Sequence, residues 1–404
     1  MQCHTISLLW QLTRKINRVQ TGKQGQFFYN TKERNAVSET NNMNEFMPWW
    51  RVDFGDEAVK AAHDAVAQRR MTMGPLTKAF EERVAKLLGV PYVVATASGT
   101  AALSLALIEA GIKSGDEVIV PNRTWIATAH AAYLLGANVV LVDVEPDRPI
   151  MDIKAFEAAI TPRTKAVIPV HLNGRAADMQ EINMIAQEHG IAVIEDACQA
   201  LFSKNAKGEF LGCDSRAGCF SLSIGKAISS GQGGFVVTRD VEVARRLTMA
   251  RTHGTSDITM AHWEMPGGNF RFWDLPAAVA LTQLDRWDAR NADIMRVYER
   301  YKKGLAGIAE ITLLENDVDK GELPLYVECL SPRRDELVAY LAEQGIQARP
   351  YYANISDAPH FSDTNKGAYP NSDIYAKQCY VLPCGPDRTD AEIDRVLKAL
   401  RTFF

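Results

Sequence analysis

The chain has 404 residues, 45 of them basic and 49 acidic, for a formal net charge of −4. That length suits a large domain with a smaller companion. The charge balance excludes a general polyanion binder, and no apolar run approaches the ~20 residues of a membrane span. A cytoplasmic protein without nucleic-acid or membrane partners is therefore expected. Seven cysteines lie scattered without a CxxC pair or a histidine spacing that would hold zinc. They read as reduced thiols, and no metal site is expected.

Residues 1–46 read as a disordered extension. Thr5–Ile16 could form a turn or two of amphipathic helix, and Gly22–Asn42 is polar and weakly patterned. No basic leader or small-residue cleavage site accompanies them. From about Pro48 helical and strand periods alternate. Phe80–Leu88 is amphipathic and Tyr92–Ala97 is a short β-rich run. Ala101–Ala110 is an apolar helix.

The order then repeats. Strands are predicted at Glu117–Val120, Val139–Val144, Ala166–His171 and Ala192–Ile194, with helices at Ile126–Leu135, Ile153–Ile160 and Met179–His189 between them. Gly218–Ser223 and Gly234–Thr238 extend the set. Apolar strands separated by helices predict an α/β fold with a mostly parallel sheet covered on both faces. A helical stretch from Leu275 to about Lys302 leads into a strand at Leu323–Cys329, a helix at Arg334–Glu343, a strand at Ala348–Tyr352 and a closing helix at Asp390–Leu400. The expected organisation is a large domain over 47–302 and a small α+β domain over 303–404.

Ligand sites of open α/β sheets gather at the carboxyl ends of the strands, and the unusual residues fall there. Ser98-Gly99-Thr100 joins a strand to a helix. Gly99 allows close approach of a ligand, and the helix N-terminus suits a phosphate; the plain alternative is a helix cap made by Ser98 or Thr100. Trp125, after another strand, could stack on a planar cofactor or simply pack. Glu195 and Asp196 close a buried strand and need partners there. Asp196 could hold a pyridinium nitrogen, and Gln199 could hydrogen-bond a ring oxygen; an ordinary salt bridge or a metal carboxylate is the alternative. In Phe220–Lys226, before the loop Ser229–Gly234, Ser221 could bind phosphate while Lys226 reaches the aldehyde of the same cofactor. Shielding would favour the neutral, reactive amine.

In this order the motifs resemble the nucleotide-sugar aminotransferases of the DegT/StrS type, enzymes dependent on pyridoxal 5'-phosphate (PLP). The resemblance runs from about Pro48 to the C-terminus. It rests on Met73-Gly74-Pro75, SGTAAL at Ser98–Leu103, GDEVIVP at Gly115–Pro121, EDACQA at Glu195–Ala200, the Lys226 segment and GGNFRFWDLPAA at Gly267–Ala278. It implies the aspartate-aminotransferase-like fold, with a large PLP-binding domain and a smaller C-terminal one. It makes Lys226 the lysine bonded to the cofactor, Asp196 the partner of the pyridinium nitrogen and Trp125 the stacking ring. Gly99, Thr100 and Ser221 would bind the phosphate, and Gln199 would lie near the phenolic oxygen.

Asn269 matches a residue the family supplies to the neighbouring subunit's phosphate, which implies a homodimer with composite sites. Glutamate and a keto-sugar nucleotide are the implied substrates, and the product an aminosugar for a surface polysaccharide or natural product. Two departures bear on substrate fit: Ser221-Leu222-Ser223 replaces a more usual FSF, and Pro276 stands where glutamine is common. A sugar dehydratase of the same fold would carry histidine in place of Lys226. A cyclitol- or aminobenzoate-forming enzyme shares the cofactor motifs, and a PLP-binding regulator without turnover is the alternative from another class.

Overall fold

Polar side chains cap five of the described α-helices, and β-branched runs make four of the strands between them, Tyr92–Thr96, Glu117–Pro121, Asn138–Val142 and Gly234–Thr238. The computed structural model describes residues 46–257, 259, 262–361 and 367–404. Apart from Phe46, the expected extension lies outside the described residues.

In chain order, α1 (Gly55–Ala67) and α2 (Pro75–Leu88) precede β1 (Tyr92–Thr96), α3 (Gly99–Glu109), β2 (Glu117–Pro121), α4 (Ala127–Tyr133) and β3 (Asn138–Val142). There follow α5 (Ile153–Ala158), β4 (Thr164–Val167), α6 (Met179–His189), β5 (Ala192–Asp196), β6 (Ala217–Ser221), β7 (Gly234–Thr238) and α7 (Val241–Arg251). Next come α8 (Asp274–Asp285), α9 (Trp287–Leu305), β8 (Thr312–Leu313), β9 (Glu328–Leu330) and α10 (Arg334–Glu343). The chain closes with β10 (Arg349–Pro350), α11 (Pro370–Gln378), β11 (Cys379–Val381) and α12 (Asp390–Phe403).

Side-chain caps set several starts. Ser98, Asp152, Asp178 and Asp240 each accept from a first-turn N–H of α3, α5, α6 and α7. Thr389 and Glu392 form a reciprocal capping box on α12. Each such cap stabilises its helix by about 1 kcal/mol.

The first seven strands form one sheet in the order β1-β7-β6-β5-β4-β2-β3. β3, β2, β4, β5 and β6 run parallel, while β7 is antiparallel to both its neighbours, β6 and β1. The expected α/β class with a mostly parallel sheet is therefore found. β2, β6 and β7 are buried along their whole length, as strands covered on both faces must be. β1, β2, β5 and β6 all point the same way, so their carboxyl ends share one edge.

Four short antiparallel strands make a second sheet, β10-β11-β9-β8. One continuous apolar core runs from Phe220 and Phe235 of the large sheet to Cys329 and Tyr380 of the small one. The first described residues join it: Met47 pairs with Ile346 and Trp50 with Cys384.

Three predicted elements differ. The Leu275–Lys302 stretch is two helices, broken at Arg286, where ψ is 9°. Of the Leu323–Cys329 strand only the end pairs with a neighbouring strand. Leu323 N–H donates to Ser203 Oγ and Tyr326 N–H to Asn173 Oδ1, so these backbone donors serve side chains instead of a ladder. The Ala348–Tyr352 strand stops at Pro350, and Tyr352 takes a left-handed φ of 53°.

Candidate active site

Asp196 ends β5, buried at 6% exposure. Its Oδ2 accepts from Thr128 Oγ1 at 2.7 Å and its Oδ1 from Cys198 N–H at 3.1 Å. No described arginine, lysine or histidine forms an ion pair with it. Its neighbour Glu195 faces the other side of the strand, where Oε2 accepts from His171 Nε2 (2.8 Å) and Gly212 N–H, and Oε1 from Asp214 N–H. His171 Nδ1 accepts from Ala177 N–H, so the ring proton sits on Nε2. Burial alone would raise Glu195, but the hydrogen bonds from His171 and the Asp214 amide bring it below the ordinary carboxylate range. The two acids thus divide: Glu195 is satisfied internally, and Asp196 makes two hydrogen bonds and no ion pair among the described residues.

Ser221 ends β6 next to β5, and Lys226 follows in a tight loop. Leu222 anchors that loop, donating to Gly233 O and accepting from Ser230 N–H and Ser229 Oγ. Lys226 N–H donates to Ser223 O, and Gly225 O accepts from the Tyr326 hydroxyl. Lys226 is half-buried as a residue, with its amine directed into the protein. Desolvation pushes its pKa down, against the upward pull of Cys198 and Asp196. A neutral amine is the form that attacks an aldehyde.

Gly99 opens α3 across from Ser221. A Cβ on Gly99 would lie 2.8 Å from Cys198 Sγ and 2.9 Å from Ser221 Cβ, closer than such atoms approach. Gly234, at the start of β7, is equally confined: a Cβ there would lie 2.6 Å from the Ser98 carbonyl. These glycines let the α3 N-terminus press onto the edge beside Ser221. Ser98 caps the helix through Ala101 N–H, at 3.1 Å, as the structural alternative requires. The Gly99 and Thr100 N–H groups precede any intrahelical acceptor and are free for a phosphate.

Gln199 stands on the other side. Its Oε1 accepts from Asn173 N–H and the Tyr351 hydroxyl, and its Nε2 donates to the Tyr352 hydroxyl at 2.9 Å. Only the second Nε2 hydrogen remains for a ligand. Trp125, after β2, is 52% exposed, its ring 5.7 Å from that of Tyr352. Burial keeps Tyr351 and Tyr352 protonated well above the usual phenol range.

One sheet edge therefore gathers Gly99, Thr100, Trp125, Asp196, Gln199, Ser221 and Lys226. Asn269 is not gathered there by the same chain. It is exposed, beside Thr252, and its Oδ1 accepts from Arg271 Nε. Thr128, Tyr326, Tyr351, Tyr352 and Asn173 were not identified from sequence. Thr128 had a signal, lying three residues after Trp125 at the start of the helix that follows it. The others come from chain segments that only the tertiary fold brings close.

The donor set fits PLP. The confined Gly99 makes a cradle for a phosphate against Ser221. Asp196 offers an acceptor for a ring N–H, and Lys226 an amine of lowered pKa. Among the described residues no His, Cys, Asp and Glu cluster could hold a metal, and no helix is long and apolar enough to cross a membrane.

The model of the DegT/DnrJ/EryC1/StrS aminotransferase family matches residues 53–401. The structure of DesV from S. venezuelae in complex with a ketimine intermediate is 33% identical, with a TM-score of 0.83 over 89% of this chain and 98% of that one. DesI in the presence of its TDP-sugar product is 29% identical, at 0.81 over 89% of this chain and 91% of that one. 3-Amino-5-hydroxybenzoic acid synthase is 28% identical, at 0.81 over 89% and 98%. With the motifs, the site and nearly the whole length in agreement, the chain belongs to the DegT/DnrJ/EryC1/StrS aminotransferase family and is a PLP-dependent aminotransferase of fold type I.

Proposed function

We propose that this aminotransferase moves the amino group of glutamate onto C4 of a keto-deoxy-sugar nucleotide, for an aminosugar of a surface polysaccharide or natural product. The observation that carries the reading is the meeting of Lys226, Asp196 and the Gly99–Ser221 cradle on one sheet edge. Bound PLP supplies an electron sink that stabilises negative charge at the carbon losing or gaining a proton.

The chain's residues do the rest. The Gly99 and Thr100 amides and Ser221 Oγ hold the phosphate, and Trp125 covers one face of the ring. Asp196, fixed by Thr128 and Cys198, keeps the ring nitrogen protonated. Gln199, fixed by Asn173 and the paired tyrosines, donates to the ring oxygen. Lys226 would bond the cofactor through its amine, and the free amine would carry the proton to or from the substrate carbon, in opposite directions in the two halves of the reaction. Asn269 reaches the phosphate of the neighbouring subunit in a cytoplasmic homodimer.

DesI, solved with a TDP-sugar product, supports a nucleotide-sugar acceptor, and the Asn269–Asp274 sequence favours C4 over C3. Likeness to the aminobenzoate synthase supports a second reading, a carbocyclic substrate. Incubating the holoenzyme with glutamate and a panel of 3-keto and 4-keto sugar nucleotides tests both. The expected result is an aminosugar nucleotide identified by mass and NMR as the 4-amino product. A 3-amino product would move the position, and no turnover with any keto-sugar would overturn the acceptor class. Lys226→Ala tests the roles: the protein should keep the cofactor non-covalently and lose roughly 10²–10⁴-fold or more in rate.

A further inference from the structure

Three of the four residues after β2 have an evident partner. The Asn122 carbonyl accepts from Ile355 N–H, its Oδ1 accepts from Ser356 N–H, and its Nδ2 donates to Ser356 Oγ. Thr124 Oγ1 lies 3.1 Å from Thr128 Oγ1, which donates to Asp196. Trp125 stands beside Tyr352. Arg123 is different. It is 1% exposed, and its Nε and Nη2 have no hydrogen-bond partner among the described residues. No described Asp or Glu forms an ion pair with it.

Its surroundings supply no countercharge. The guanidinium lies over two rings, 5.8 Å from the centroid of Tyr351 and 5.0 Å from that of Tyr375. Burial pushes the Tyr375 phenol and the Cys379 thiol up to about 12, so both stay neutral. Glu328, the buried acid whose charge reaches Tyr351 and Cys379, is held by Arg175 and by Asn173 Nδ2. A buried cation without an acid is costly, and packing alone would be served by an apolar side chain of the same volume.

What Arg123 does touch is the tyrosine pair that fixes Gln199. Its Nη1 is directed at the Tyr352 carbonyl, at 3.5 Å. Tyr352 has a φ of 53°, and a bulky residue stays in that left-handed region only where its surroundings hold it there. The cation stands at the carbonyl of this residue and over the ring of the one before it.

We propose that Arg123 is a positioning residue: its guanidinium holds Tyr352 in the left-handed turn and, through the Tyr352 hydroxyl, aims the Gln199 amide at the ring oxygen of the cofactor. This rests on the reading of Gln199 and Lys226 as cofactor residues.

Spectrophotometric pH titration of the yellow holoenzyme tests it, because a donor to the ring oxygen weakens that oxygen's hold on the proton of the adjacent cofactor–lysine nitrogen. Arg123→Met keeps the volume and removes the charge and the donors. It should raise the midpoint of the colour change by about half a pH unit or more. Tyr352→Phe should move the midpoint the same way, and the double variant no further than the larger single, since both act through one bond. If the Met variant takes up no cofactor, Arg123→Lys decides: it keeps the charge but not the planar fork, and should give a smaller rise. An unchanged or lowered midpoint in folded variants overturns the proposal, even where urea unfolding shows lost stability, and leaves Arg123 as packing. Additive shifts in the double variant overturn the route through Tyr352. Failure of the underlying reading looks different: the wild-type holoenzyme would then lack the yellow colour of a lysine-bound cofactor.

Discussion

Tyr326 donates its hydroxyl to the carbonyl of Gly225 across 2.8 Å, tying the segment before β9 to the residue ahead of Lys226. Both residues are buried, so that carbonyl has no water to turn to. Tyr326→Phe keeps the ring packing against Trp49, Trp50 and Tyr351 and removes only the donor. An unsatisfied buried acceptor costs about 1–3 kcal/mol. Urea unfolding of the cofactor-free variant should show a lower midpoint with unchanged slope. An unchanged midpoint would mean that the bond contributes nothing to loop position.

Lys226 links stability to pH in a defined direction. Burial lowers its pKa from the ordinary 10.5 in the folded chain. Below the lowered value it is protonated in both folded and unfolded states, and the folded state bears the full desolvation penalty. The penalty is relieved as pH rises from the folded pKa towards 10.5. Without cofactor, wild type should therefore be less stable than Lys226→Met at neutral pH, with the gap narrowing at alkaline pH. A gap that widens with pH in paired urea titrations would contradict an amine of lowered pKa.

Asn269 gives a test of shared sites. Lys226→Ala subunits and Asn269→Asp subunits should each be inactive, the second because its added carboxylate repels a phosphate. In a mixed homodimer with composite sites, one site holds both lesions and the other neither. Activity should then reappear on mixing, up to about a quarter of wild type if exchange is random and half the subunits are of each kind. Absence of recovery, with subunit exchange verified by mass, would count against Asn269 serving the neighbouring subunit.

Much of this architecture could be read from the residues. The strands of the large sheet were legible because each is a short apolar run bounded by turn residues, and Met179–His189 and Arg334–Glu343 appear with the limits predicted. Ser221, Lys226, Asp196 and Gly99 were legible because each ends or follows such a strand. The tyrosines were not. Tyr326, Tyr351 and Tyr352 act through hydroxyls that meet Gly225 and Gln199 over sequence separations of 101, 152 and 153 residues, which no local pattern encodes. The break at Arg286 was missed because apolar periodicity continues on both sides of it. The Leu323–Val327 segment was read as strand because a β-rich run does not reveal whether its donors find a strand or a side chain.

The contribution of the segment from Met47 can be tested by truncation. Met47 is 3% exposed, its N–H donates to Gly345 O, and its carbonyl accepts from Gln347 N–H. A chain beginning at Met47 should be soluble and active. A chain beginning at Phe54 loses the buried Met47 and Trp50 and the half-buried Trp49, and truncating such core side chains costs about 2–5 kcal/mol each. It should aggregate or bind no cofactor. Comparable soluble yield and activity from both would show that the 47–50 segment is dispensable.

That same pairing sets an order of events during synthesis. Met47 rests on Ile346 and Trp50 on Cys384, so these residues wait for partners translated some three hundred positions later. At about 5–20 residues per second, the ribosome leaves Met47 and the Trp50 indole unburied for tens of seconds. Gln199 waits similarly for Tyr351 and Tyr352. The large sheet can form on the ribosome, but a nascent chain cannot complete its cofactor pocket until almost all of it has emerged. Premature termination between Lys226 and Tyr351 therefore yields a protein with its lysine in place and no finished site around it.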